Sequence, residues 1–363
     1  MIIASSQGNE QQKSGYIDNI LEQPQILRSL LDRYSPTSIA SAIRPLWSWE
    51  HPSPILLTGM GASHSVLWPI YLNLMQQGLW VQRAETSELI HYLPQLLHRP
   101  GLCMAVSQSG ESVEIQRLVA QIRDRRQRGQ AAPHLLSITT TLNNTLAQAS
   151  DVAFVTQAGA EVGVATKTFT STLALLHWIG QALLNRLTTN DFAAIEAIAK
   201  SQQALLHQHQ AWIAPALDPL AAVSTFALVG RGPSLAAVYD GALVLKESLR
   251  QLAHGFSGGE FRHGPMEMLS PNLGVLIFTT AGSTLELSQR LGADVALRGG
   301  HLVTIGQQGS EAGSVHLSLP PCHQGLAPLL EILPIQLIAG ELARKKGIIP
   351  GEFRWGGKVV TQE

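Results

Sequence analysis

Pro54-Ile-Leu-Leu-Thr58 runs directly into Gly59-Met-Gly61-Ala-Ser63, and then into a stretch of helical spacing near 63–77. A short, unbroken apolar run bounded by small and hydroxyl residues predicts a strand buried on both faces of a sheet. The pattern returns twice. Residues 102–106 enter Ser107-Gln-Ser-Gly-Glu-Ser112 and a helix near 111–128, and residues 134–138 enter Thr139-Thr-Thr-Leu-Asn-Asn144. Strand, polar turn and helix in alternation predict a parallel sheet with crossover helices.

Outward from this core, residues 1–14 are polar and expected to fray. Apolar residues at helical spacing from 16 to 34 predict a helix that Pro24 breaks or kinks, and a short helix covers 36–46. Long helical patterns from 169 to 212 close the first half. The rhythm then restarts. Residues 224–229 enter Gly230-Arg-Gly-Pro-Ser234 and a helix running past Leu249, residues 273–278 enter Thr279-Thr-Ala-Gly-Ser283, and residues 301–305 end at Gly306. Gly61-Ala-Ser63 aligns with Gly232-Pro-Ser234, and Ser107-Gln-Ser-Gly with Thr279-Thr-Ala-Gly. The matching order implies duplication of one α/β unit. The expected organisation is a helical arm over 1–45, a first α/β domain with linking helices over 46–212, a second over 213–346, and a Gly-rich tail over 347–363.

A chain of 363 residues suits two domains, and 45% hydrophobic against 14% charged residues leaves ample material for buried cores. The net charge of -1 argues against nucleic acid as a partner, which requires clustered cations. The densest basic run, Arg123-Asp-Arg-Arg-Gln-Arg128, falls at a helix end, where cations complement the dipole. Cys103 and Cys322 make neither a disulfide framework nor a metal site, and the 13 histidines are scattered, so no metal is expected. No Walker lysine or GxGxxG is present, and no cofactor is expected. No stretch reads as clean enough to span a bilayer and the first residues lack a signal-peptide pattern, so the expected location is the cytoplasm, away from membranes.

Ligands of open parallel sheets bind beyond the carboxyl ends of the strands. In the first half those ends carry Gly61, Ala62 and Ser63, then Ser107, Gln108, Ser109 and Ser112, then Thr139 to Thr141. Such loops offer backbone N–H groups and hydroxyls to a phosphate or another anion, or else the hydroxyls simply cap helices. The second half carries Asp240-Gly-Ala-Leu-Val-Leu-Lys-Glu247 and Gly258-Gly-Glu-Phe-Arg-His263-Gly-Pro265. Glu247 reads either as a solvated helix carboxylate or as a base, and His263 either as a turn residue or as a proton carrier. Together they supply the minimum for moving protons on a sugar.

The segments Ser107-Gln-Ser-Gly-Glu-Ser112, Glu161-Val-Gly-Val-Ala165, Gly241-Ala-Leu-Val-Leu-Lys-Glu247, Gly259-Glu-Phe-Arg-His-Gly-Pro265 and Lys358-Val-Val-Thr361, in this order, resemble the sugar isomerase (SIS) family. The likeness is greatest to the isomerase half of glucosamine-6-phosphate synthase and runs from about residue 20 to the C-terminus. It implies two tandem SIS domains, each a doubly wound parallel sheet in a three-layer α/β/α arrangement, and a homodimer, with further pairing into a tetramer left open. It implies that Gly61, Ala62, Ser63, Ser107, Gln108, Ser109 and Ser112 hold a sugar phosphate, with Val164 and Ala165 against the sugar. Glu247 falls on the family's proton-shuttling glutamate. His263 falls on its ring-opening histidine, which relatives can supply from a partner subunit. Lys358 falls on the tail lysine near the open-chain carbonyl, which it polarises or engages as a Schiff base.

Three departures matter. The chain opens Met1-Ile2-Ile3-Ala4 without the synthase's glutaminase cysteine, so no use of glutamine is expected. Val244 stands where the synthase carries a second active-site lysine, and Gly163-Val-Ala-Thr-Lys-Thr-Phe-Thr170 is one residue shorter than the family's GVASTKAFT. The resemblance therefore implies binding of a phosphorylated sugar or amino sugar, C1/C2 proton transfer and release of an amine, as in deaminases and deglycases. The rival expectations are a plain aldose–ketose isomerase and a sugar-phosphate sensor without catalysis.

Overall fold

The structure, a computed structural model, describes residues 15–309 and 314–362. The polar stretch 1–14 lies outside the described residues. Among the described residues ten strands form two parallel sheets. In the first are β1 (Ile55–Gly59), β2 (Val81–Glu85), β3 (Leu102–Val106), β4 (His134–Thr139) and β5 (Val152–Val155), in spatial order β2-β1-β3-β4-β5. In the second are β6 (Thr225–Gly230), β7 (Leu252–Ser257), β8 (Leu273–Thr279), β9 (His301–Gly306) and β10 (Val315–Ser318), in order β7-β6-β8-β9-β10. The two orders are the same, second-first-third-fourth-fifth, which is duplication expressed as topology. Each sheet has helices on both faces, as two three-layer α/β/α units.

The fully buried runs explain why these strands form. Ile55, Leu57, Leu102, Met104 and Val106 face a core shared by both halves, whereas Leu56, Cys103 and Ala105 face a separate outer cluster. In the second sheet Phe226, Leu228, Leu276 and Phe278 face the shared core, and Ala227, Val229, Val275 and Ile277 the outer side. Period-two alternation of apolar residues toward two apolar layers is what a doubly covered sheet demands.

Helix Pro328–Lys345 is the spine of the shared core. The helical stretch Gln324–Lys345 is long and apolar enough by composition to cross a membrane, with a mean hydropathy of 1.5, but 94% of its most apolar window is buried inside the protein. This corrects the sequence reading that no such stretch exists, and burial between two sheets is the physical reason for its composition. It is tied to distant segments: Tyr16 Oη donates to the Gln336 carbonyl at 2.9 Å, Gln23 Nε2 to Gln336 Oε1 at 2.8 Å, and Gln202 Nε2 to the Leu329 carbonyl at 2.8 Å. The N-terminal helix breaks as expected, into Gly15–Leu21 and Gln23–Arg33, with Pro24 in a first turn where its missing N–H costs nothing.

Candidate active site

The first sheet reverses its strand order between β1 and β3, and a cleft of about 370 Å³ opens beyond their carboxyl ends. Gly61, Ala62 and Ser63 line it from the turn after β1, and Ser107, Gln108, Ser109 and Ser112 from the loop after β3. Gly61 has φ +51° and is the N-cap of helix Ala62–Ser65, so the cap contributes no side chain and Ser63 lies in the first turn. Gly110 has φ +68°, and a Cβ there would collide with the Asn144 side chain, which fixes glycine in the second loop.

The hydroxyls divide between the two roles open in the sequence. Ser112 is the N-cap of helix Val113–Gln127, yet its side chain makes no capping bond. Ser107 Oγ accepts from Gly110 N at 3.1 Å and Ser109 Oγ from Glu111 N at 3.2 Å, which fixes the turn of the loop at the cleft wall. The third loop caps instead. Asn144 Oδ1 accepts from Ala147 N at 2.9 Å, and Glu111 reaches across to accept from Thr145 N at 2.6 Å and Thr145 Oγ1 at 2.8 Å. Thr139 to Thr141 do not line the cleft.

Two further walls come from far along the chain. Helix Leu235–Leu249 of the second half contributes Leu243 and Glu247, and the tail after residue 347 contributes Phe353, Gly357, Lys358, Val359 and Val360. The tail is fastened at several points. Val113 N donates to the Val360 carbonyl at 3.1 Å, Arg250 Nη2 to the Glu352 carbonyl at 3.2 Å, and the backbones of Gly163 (φ +69°) and Gly351 approach too closely to admit a Cβ on Gly163.

Charge in the cleft is arranged unevenly. Lys358 Nζ lies 2.7 Å from Glu161 Oε2 and 2.9 Å from the Glu161 carbonyl. The Glu161 carboxylate is wholly buried and also accepts from Thr166 N (2.9 Å), Thr166 Oγ1 (3.0 Å), Thr168 N (3.0 Å) and Thr168 Oγ1 (2.6 Å). Burial pushes its pKa upward, but Lys358 and the Thr168 bonds outweigh this and hold it below the ordinary range. Glu247 is the opposite case. Burial raises its carboxyl to about 7, against weaker downward pulls from Lys358 and Lys246. A carboxyl near neutrality in a cleft can both take and return a proton. Asp240, on the same helix, is buried outside the cleft; neither oxygen finds a hydrogen-bond partner among the described residues, and burial holds its pKa well above the ordinary range.

Of the residues that the family resemblance assigns to the site, two stand apart. Val164 is 1% exposed and turns into the shared core, leaving Ala165 to face the cleft. His263 is exposed at the end of helix Gly258–Arg262 and does not line this chain's cleft. Val244 is fully buried in the core, and Lys167 turns away to pair with Glu22 at 2.6 Å. Glu161, Thr168 and Phe353 line the cleft without having been singled out. Glu161 opened a recognisable motif, but nothing local marks it as the partner of a lysine so distant in sequence.

Comparison with known proteins agrees with this architecture. The SIS domain model matches residues 52–181 and 220–340. The glutamine–fructose-6-phosphate aminotransferase (isomerizing) of Pyrococcus horikoshii is 29% identical over 97% of this chain, which spans 59% of that relative's length. The C-terminal domain of glucosamine-fructose-6-phosphate aminotransferase from Francisella tularensis superposes with a TM-score of 0.80 at 22% identity, over 99% of this chain and 100% of that one. Glucosamine-6-phosphate deaminase from Thermotoga maritima does so with a TM-score of 0.77 at 19% identity, over 96% and 100%. With both halves matched and the cleft at the first sheet's switch point, the chain belongs to the sugar isomerase (SIS) domain family, in two tandem copies.

Proposed function

We propose that the cleft binds a phosphorylated amino sugar, moves a proton between its C1 and C2, and releases an amine, as a deaminase or deglycase does. The observation that carries this reading is Glu247: a half-buried carboxyl of pKa about 7, facing a cleft whose far wall is built of serine hydroxyls and loop N–H groups. The phosphate seats against Ser63, Ser107, Ser109 and Ser112, which fixes the far end of the sugar and leaves C1 and C2 toward Glu247 and Lys358. Glu247 takes the C2 proton of the open-chain aldehyde while O1 is protonated, giving an enolamine. Return of the proton to C1 gives a C2 imine, and water then releases ketose phosphate and ammonia; for an adduct with its amine on C1, as a deglycase takes, the proton runs from C1 to C2 and water releases aldose phosphate and the amine from a C1 imine. Steps of this kind contribute about 10²–10⁴-fold each. Lys358, steered by Glu161, stands as the cation beside the carbonyl oxygen.

His263 lies outside its own cleft and is exposed, which supports a homodimer in which it serves the partner's cleft. Relatives named as a glutamine–fructose-6-phosphate aminotransferase and a glucosamine-6-phosphate deaminase support an amino-sugar phosphate as the substrate. The test is amine release from glucosamine 6-phosphate and from sugar-phosphate adducts of lysine and other amino acids. Release that vanishes in Glu247→Gln supports the reading. Ketose–aldose interconversion without any amine would replace it with a plain isomerase, and phosphate-dependent binding with no turnover would replace it with a sensor.

A further inference from the structure

The second sheet repeats the strand order of the first, so it has its own switch point, between β6 and β8. The loops there, Gly230-Arg-Gly-Pro-Ser234 and Thr279-Thr-Ala-Gly282, correspond to the two that border the cleft of the first half. They face a side chain of the protein itself. Glu331, in the first turn of helix Pro328–Lys345, is fully buried, and its Oε1 accepts from Ser234 Oγ at 2.7 Å and from Thr280 Oγ1. Its Oε2 has no hydrogen-bond partner among the described residues, and neither has Thr279 Oγ1. Gln324 lies across both loops: a Cβ on Gly282 would fall 2.7 Å from its Nε2, and one on Gly232 3.8 Å away. The matching helix of the first half, Lys167–Leu183, instead turns Thr168 and Thr172 to the open cleft.

Buried hydroxyls at strand ends need an acceptor. A carboxylate is acceptor-only and serves them as a phosphate oxygen would. We propose that Glu331 is a built-in ligand: its carboxylate occupies the second half's counterpart of the phosphate site, so each chain takes one phosphorylated ligand, and shortening this side chain opens a second site for an inorganic anion of the phosphate class. The proposal rests on the reading that the loops after β1 and β3 hold phosphate.

Equilibrium dialysis of the full chain against labelled inorganic phosphate, in mildly alkaline buffer, tests it. Unaltered protein is expected to bind one equivalent, lost in Ser107→Ala/Ser112→Ala. Glu331→Ala is expected to bind two, the second lost on adding Ser234→Ala, whereas Glu331→Gln, which keeps the space filled, stays at one. A Glu331→Ala protein that still binds only one equivalent overturns the proposal and leaves the first-half reading intact. An equivalent in the unaltered protein that ignores the first-half serines sinks that reading instead. Should Glu331→Ala not fold, Ser234→Ala alone decides: an unchanged single equivalent supports the built-in ligand, and a fall from two to one shows a second site already open and overturns it.

Discussion

Lys358 and Glu161, 197 residues apart in sequence, form an ion pair at 2.7 Å whose acidic member is wholly buried and whose basic member is about a quarter exposed. The lysine of the tail is thus held by the same carboxylate that organises the turn before helix Lys167–Leu183. Tail position and loop shape are one interaction.

Removing Lys358 leaves that buried carboxylate without its counter-ion. Breaking a buried pair from one side costs about 3–5 kcal/mol. Because Lys358 is partly solvated and Glu161 keeps four other hydrogen bonds, Lys358→Met is expected to cost less, about 2 kcal/mol, read by urea unfolding. Glu161→Gln/Lys358→Met should recover part of it. A purely additive double variant would mean that the two groups are not coupled.

Glu247→Gln should abolish turnover while phosphate-ligand affinity stays within about two-fold, since the amide keeps the shape but cannot take a proton. In the unaltered enzyme the base must be ionised, so kcat/KM should rise with pH up to about 7 and level off above it. A profile flat through this region would remove Glu247 from the role of base.

Ser112→Ala separates binding from stability. The Ser112 hydroxyl does not cap its helix, so the melting free energy should move by less than about 0.5 kcal/mol. Loss of a hydrogen bond to a charged ligand oxygen should weaken phosphate binding by about ten-fold or more. Calorimetry of binding and of unfolding on the same sample checks both.

His263→Ala should leave stability unchanged, since the side chain is exposed. If its work is done in a partner's cleft, mixing inactive Glu247→Gln with inactive His263→Ala chains should restore about a quarter of the activity, because half the dimers are mixed and each holds one intact site. No recovery after subunit exchange would place the histidine's function elsewhere.

Glu331 also leaves a signature in stability. Burial raises its carboxyl from 4.5 to about 7 in the folded chain. The stability it contributes is complete below pH 4.5 and is lost as pH climbs to about 7, by on the order of 3 kcal/mol. Glu247 adds a slope of the same sign, so the measurement is the difference between the unaltered protein and Glu331→Gln, whose unfolding free energy should fall less steeply over this interval.

The parts legible in the sequence share a physical cause. β1, β3, β4, β6, β8 and β9 are buried on both faces and read as apolar runs, and the loops after β1 and β3 stand out as small and polar where they line the cleft. The edge strands escaped notice because one side of each meets solvent or a helix end: Val81-Gln-Arg-Ala-Glu85 and Val315-His-Leu-Ser318 carry polar residues where interior strands carry leucine. Long-range pairing was likewise invisible. Nothing near Glu161 announces Lys358, nothing near Ser234 announces Glu331, and whether Val164 or Ala165 faces the cleft is decided by a turn that spacing does not specify.

The fastening of the tail has a consequence for how damage to this protein would look. The ten strands of the described residues and the spine helix are complete before residue 347, whereas Lys358 comes later and is held by a few contacts to the body. Loss of the chain beyond a nick between the two would leave the sheets and the spine helix complete but strand the buried Glu161 carboxylate, so the particle would keep its secondary structure at a lowered unfolding free energy. On the role proposed for Lys358 it would also be silent in catalysis, since the cation beside the carbonyl would be gone.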